Sequence, residues 1–160
     1  MNVLLDTTYL MPAIGVSVSG TKQHVLRTLR ENGHHSFISE LTLFELSAKG
    51  AKHIASHELD PERVRRGLTA VAYDEALTKI PLLEGDVIQI SFTLRGVMND
   101  YLDCVILSSA ICGCEAIVTE DRLIHGIEDN PLYKHLIEKS NPHFKIVYSN
   151  DLGKLLHDTG

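Results

Sequence analysis

Short apolar runs closed by an acid or a turn alternate along this chain with stretches of helical period. Asn2-Val3-Leu4-Leu5-Asp6 is the first, an apolar strand ending in a carboxylate and followed by the hydroxyls of Thr7 and Thr8. From His24 to Asn32 the apolar residues Val25, Leu26 and Leu29 share one face and Gly33 stops the run, which predicts a helix. Ser36 to Ser39 is a second short strand. Leu41 to Ser56 follows as a helix with Leu43, Phe44, Leu46 and Ile54 facing inward. Asp60-Pro61-Glu62 is a helix start, with an N-cap acid, proline in the first turn and a second acid behind it. That helix is expected to run to about Tyr73, at most Leu77, before Pro81 breaks it. Glu84 to Leu94 forms another before Gly96.

The pattern is sharpest from Met98 to Arg122. Leu102, Val105, Ile106, Ala110 and Ile111 recur at helical spacing up to Gly113, and Ala116-Ile117-Val118-Thr119 then reads as a buried parallel strand. A helix over Leu132 to Glu138, a last strand over Lys145 to Tyr148 and a terminal helix containing Leu152, Leu155 and Leu156, with Asn150 as its cap, complete the series. Strands alternating with helices in this way predict an α/β fold with a mainly parallel sheet covered on both faces. The chain carries no repeat, low-complexity segment or linker, and its 160 residues are expected to form one domain.

Composition adds exclusions. With 44% hydrophobic and 22% charged residues the chain is ordinary globular protein. No apolar run approaches membrane-spanning length and no secretory leader pattern opens the sequence, so a cytoplasmic protein is expected. The net charge of −6 gives no global basic footprint for nucleic acid, although Lys49, Lys52, Arg63, Arg65 and Arg66 form a locally basic segment that a solvated helix face explains equally well. Cys104, Cys112 and Cys114 lack zinc-like spacing and read as reduced packing thiols. The histidines form no ligand pair at helical spacing.

The acids carry the chemistry. Asp6 and Asp121 stand at the ends of strands, and Glu45 and Asp103 stand near the starts of helices that pack on the sheet. Parallel strands bring their carboxyl ends together, where open α/β sheets place their sites, so all four can reach one pocket. Each also has an ordinary structural explanation. Asp6 can cap the following helix, and Glu45 has i,i+4 spacing with Lys49. Asp100 lies three residues before Asp103 on the same side of the helix, placed either to cap it or to join the acids. Two carboxylates about 4 Å apart repel by roughly 4 kcal/mol at an effective dielectric near 20. Acids gathered in one pocket therefore either bind protons or hold a divalent cation. An all-oxygen, histidine-free donor set favours Mg²⁺ or Mn²⁺, and such ions support phosphodiester hydrolysis by a metal-activated water.

The stretches VLLDTTYL, LTLFEL, NDYLDCVILSSA and AIVTEDR resemble, in order, the four acidic motifs of the PIN domain family, including its VapC-like ribonucleases. The separation of eighteen between Asp103 and Asp121 is also typical of that family, and the resemblance spans Asn2 to about Asp158. It implies a three-layer α/β/α sandwich with a mainly parallel sheet of about five strands. It also implies metal ligation and catalysis by Asp6, Glu45, Asp103 and Asp121, with Asp100 as an additional candidate ligand and Thr8 and Thr119 as hydroxyls that orient the acids or a bound water. The expected activity is Mg²⁺- or Mn²⁺-dependent endoribonucleolytic cleavage of single-stranded RNA, as the toxin of a toxin–antitoxin pair or as an RNA-processing nuclease. An antitoxin protein and a second copy of the chain, giving a homodimer, are the partners so implied. The residues between Ala51 and Gly96 exceed the compact toxin type, which weighs against the toxin role more than against the chemistry. Two rival classes remain at this level: a non-catalytic PIN-like module that binds RNA or protein, and an aspartate-based phosphotransfer or phosphatase domain. The second wants another acid two residues after Asp6, where Thr8 stands.

Overall fold

A computed structural model describes residues 1–18 and 24–153. Its five strands are β1 (Asn2–Leu5), β2 (His35–Ser39), β3 (Leu77–Ile80), β4 (Ala116–Val118) and β5 (Lys145–Val147), arranged in the order β3-β2-β1-β4-β5. Every pairing is parallel, with Val3 opposite Ser36 on one side and Ala116 on the other. Alternation along β1 sends Leu4 to one face and Val3 and Leu5 to the other, and β4 repeats this with Ile117 against Ala116 and Val118. Both faces are covered, which is why these strands read as continuous apolar runs.

Helices α4 (Val87–Leu94), α5 (Tyr101–Gly113) and α7 (Pro131–Ser140) close the Leu4–Ile117 face. Helices α1 (Val25–Glu31) and α3 (Pro61–Ala72), with a 3₁₀ segment over Thr7–Ile14, close the other. Helix α2 (Glu40–Ala55) leaves the end of β2 with Ser39 as its N-cap and packs on both the 3₁₀ segment and α3. Two glycines allow that packing. A Cβ on Gly67 would stand 2.2 Å from the Ala13 carbonyl oxygen, and one on Gly50 would stand 2.5 Å from Val64 Cγ1. Residues Cys104 through Ile111 of α5 are all buried, and the Ser108 and Ser109 hydroxyls donate to the Cys104 and Val105 carbonyls one turn back. Ser109 also meets Ser39 at 3.0 Å, tying α5 to the end of β2.

The sequence expectations fail at four places. Leu77–Ile80 is an edge strand, although Leu77 and Ile80, buried three residues apart, mimic a helical pair. Pairing with β2 decides it, a contact that a local pattern does not contain. Phe44 is 64% exposed, and Thr42 is buried on α2 in its place. Cys112 is exposed, whereas Cys104 and Cys114 are buried and all three thiols are free. Asn150 lies within a short 3₁₀ turn, Ser149–Asp151, and Leu155 and Leu156 of the expected terminal helix fall outside the described residues. No helix among the described residues is long and apolar enough to cross a membrane.

Candidate active site

The strand order reverses direction between β1 and β4: from β1 the chain builds outward to β2 and β3, then returns to the other side for β4 and β5. A crevice opens beyond the carboxyl ends of strands at such a reversal. Here it is a cavity of about 220 Å³ lined by Asp6, Thr8, Glu45, Lys49, Asp103, Glu120 and Asp121. Asp6 directly follows β1, and Glu120 and Asp121 follow β4. Glu45 and Lys49 come from the second and third turns of α2, and Asp103 comes from the first turn of α5. The four acids singled out by sequence thus line one cavity.

Hydrogen bonds fix some of these groups and leave others free. Thr119, buried at the end of β4, donates its hydroxyl to Asp6 Oδ2 at 2.7 Å and accepts from the Asp121 amide at 3.0 Å. One side chain therefore positions both strand-end acids. The Thr7 hydroxyl donates to Glu45 Oε2, and Lys49 Nζ contacts Glu45 Oε1 at 2.8 Å. Both oxygens of Glu45 are engaged, and its side chain is only 15% exposed. Asp121 accepts from the Leu123 amide at 2.7 Å and so also caps α6 (Arg122–Gly126). Among the described residues the Asp103 carboxylate has no hydrogen-bond partner. Glu120 Oε1 accepts from the Tyr9 hydroxyl at 2.8 Å and the Ser149 amide at 3.1 Å, which joins the 3₁₀ segment to the end of β5.

The charges respond to this crowding. Burial and then the neighbouring Asp100, Asp121, Asp6 and Glu45 push the Asp103 carboxyl up to about 7. Burial also raises Asp6, with the Glu45 charge adding to it, while the Thr119 bond and Lys49 work the other way. Burial alone would lift Glu120, but the hydrogen bonds from Ser149 and Tyr9 outweigh it and hold that carboxyl below its usual value. Partial burial opposes the Lys49 charge, yet its bond to Glu45, with Asp6 and Asp103 nearby, raises its pKa. Lys49 is thus a cation already inside an acidic cavity.

The donor chemistry fits a hard divalent ion: every acidic group facing the cavity offers oxygen, and Asp103 is destabilised by the like charges that an ion would offset. Among the described residues no three acid, histidine or cysteine side chains are drawn tightly enough to hold one ion as they stand. Lys49 occupies the Glu45 oxygen that would otherwise be open. Asp100 caps α5 through the Leu102 amide at 2.9 Å and lines a neighbouring cavity that shares Asp103, not the acidic one. Sequence reasoning missed Thr7 and Glu120. Thr8 does line the cavity, but the hydroxyl bonded to Glu45 belongs to Thr7, and only the turn of the 3₁₀ segment decides between adjacent threonines. Reading Glu45–Lys49 as either a surface pair or a site acid was a false choice, because the pair forms and lies in the cavity.

No protein-family model matches the sequence, and no curated protein does. Among solved structures the chain is similar to one in the VapBC2 complex of Rickettsia felis, bound to a DNA fragment from its promoter. The TM-score is 0.56 and the identity 17%, and the match covers 92% of this chain and 98% of that one. Likeness at that identity is a statement about architecture. Together with the all-parallel five-stranded sheet it establishes a PIN-like three-layer α/β/α fold.

Proposed function

We propose that the protein is a Mg²⁺- or Mn²⁺-dependent endoribonuclease that hydrolyses phosphodiester bonds of single-stranded RNA. The observation that carries this reading is the convergence of Asp6, Glu45, Asp103 and Asp121, from four separate stretches of chain, on one cavity at the sheet's switch point. These four acids are the proposed ligands. Asp100 is a candidate for the outer edge of the same site, and Thr8, Thr119 and Thr7 orient the acids or a water. A bound divalent ion supplies an activated water and offsets charge on the phosphate. The chain's own part is placement: Thr119 fixes Asp6, Thr7 and Lys49 fix Glu45, and the unbonded Asp103 is the carboxylate free to turn toward a ligand. The likeness to a chain of the VapBC2 complex supports a toxin role with an antitoxin partner, and a homodimer is the assembly proposed with it.

Incubation of end-labelled single-stranded RNA with Mn²⁺ tests the reading. The parent should cut it, EDTA should stop cleavage, and Asp103→Asn should lower the rate by more than about 100-fold, since even outer-shell partners of a metal are worth about 10–100-fold. Equal cutting by parent and variant would remove Asp103 from the site.

One observation favours a second reading. A cavity whose glutamate is already satisfied by Lys49 and Thr7 suits a non-catalytic module that binds RNA or protein without metal. Melting curves that do not move in Mg²⁺ or Mn²⁺ would support it.

A further inference from the structure

Beside the acidic cavity lies a larger one, about 390 Å³, that shares Asp103 with it. Its walls are of a different kind. Val97, Met98 and Ile127 give it apolar sides, Leu123 stands at its lip 74% exposed, and Asn99 and Arg122 supply an amide and a guanidinium. Neither Leu123 nor Arg122 is held by the fold. Leu123 leaves most of its apolar surface in water, and Arg122 opens helix α6, where the helix dipole disfavours a cation. Among the described residues Arg122 has no ion-pair partner.

We propose that this cavity is the subsite for the nucleotide next to the scissile phosphate: its base and sugar pack against Val97, Met98, Leu123 and Ile127, and its phosphate meets Arg122. The inference rests on the nuclease reading for its choice of ligand. Two observations select that ligand. The cavity adjoins the acidic one, with Asp103 lining both, so it is within reach of a nucleotide next to a phosphate held among the acids. The volume lies within the range of small-ligand pockets, about 300–1,000 Å³, and pairs apolar walls with a few polar groups, as a nucleoside requires. Arg122 also places a cation complementary to phosphate in a chain of net charge −6, in a cavity whose other charged groups are Asp100 and Asp103.

The test uses fluorescence anisotropy with a fluorescein-labelled single-stranded hexaribonucleotide in Mg²⁺. It is run on full-length protein carrying Asp6→Asn, which disables the acidic cavity without touching this one. Adding Leu123→Ser should weaken binding about tenfold, the scale of a lost apolar contact in a pocket, and leave the salt dependence unchanged. Adding Arg122→Gln should weaken binding and reduce the slope of log K against log salt by about 0.7, the value of one phosphate contact on a single strand. Arg65→Gln, which removes the same charge from an exposed residue paired with Glu62, should do neither. Both target residues are exposed, so folding is not at risk. If the unaltered protein cuts RNA while Arg122→Gln and Leu123→Ser bind like their parent, the subsite is wrong and the nuclease reading stands. If nothing is cut but both variants lose affinity, the cavity holds a nucleotide as proposed and it is the nuclease reading that falls. Absence of hexanucleotide binding, or a change of oligomeric state in Leu123→Ser in place of an RNA effect, overturns the subsite.

Discussion

The two helical walls of the acidic cavity present the same kind of group in opposite conditions. On the α2 wall Glu45 has an ammonium on one oxygen and a hydroxyl on the other. On the α5 wall Asp103 has no hydrogen-bond partner among the described residues and is pushed up to about 7 by burial and by four other carboxylates. A carboxylate fully satisfied by fixed partners is structural until something displaces them. One left among like charges is destabilised in its ionised form. The contrast teaches that, of the acids proposed as ligands, Asp103 would be open to an ion while Glu45 would first have to part from Lys49.

The largest effect expected of that asymmetry is a difference in sign. In EDTA, Asp103→Asn should melt above the parent, because a repelled charge is gone. Glu45→Gln should be less stable than the parent by about 1–3 kcal/mol, because the amide keeps one accepting oxygen for two donors and loses the charge that pairs with Lys49. In Mn²⁺ near a hundred times its dissociation constant the parent should gain about 2.7 kcal/mol and Asp103→Asn far less. Two variants shifting in the same direction in EDTA would erase the distinction between the walls.

Lys49→Met sharpens it next. Without the ammonium the metal-free protein should be less stable, and calorimetric titration should show Mn²⁺ bound roughly tenfold more tightly, about 1.4 kcal/mol. Weaker binding would mean that Lys49 assists the ion and does not compete with it.

A smaller effect is the pH profile. The folded carboxyl of Asp103 titrates near 7, above its ordinary value of 3.8, so between those limits the folded state holds a proton that the unfolded state has released. Its contribution to stability is therefore present at low pH and lost as pH rises toward 7. In EDTA the melting temperature of Asp103→Asn minus that of the parent should widen from pH 4 to 7; a constant gap would refute the shift. Smallest is Thr7→Val, which removes one hydrogen bond to Glu45 and should cost about 1 kcal/mol while leaving that pH profile unchanged.

Much of the architecture could be read locally. Runs such as Val3-Leu4-Leu5 and Ala116-Ile117-Val118 are buried on both faces, and burial on both faces has a direct signature in sequence. The edge strand Leu77–Ile80 lacks it, having one neighbour, an exposed Thr78 and a half-buried Lys79, and so escaped notice. The site acids were legible for a similar reason: a carboxylate directly after a buried strand, or set into an apolar helix start, is out of place unless something uses it. Glu120 and Thr7 were not legible, since a glutamate beside an aspartate and a threonine beside a threonine look interchangeable until the backbone assigns their directions.

By itself the sequence determined most of the strands and helices, the edge strand Leu77–Ile80 excepted, and it set Asp6, Glu45, Asp103 and Asp121 at or near their ends, because periodicity and chain direction are local properties. Only the tertiary structure decided that β1 and β4 are neighbours, that Lys49 reaches into the cavity as its resident cation, and that an apolar pocket opens beside it. Each of those depends on distances between residues far apart in the chain, and such distances exist only once the sheet has been assembled.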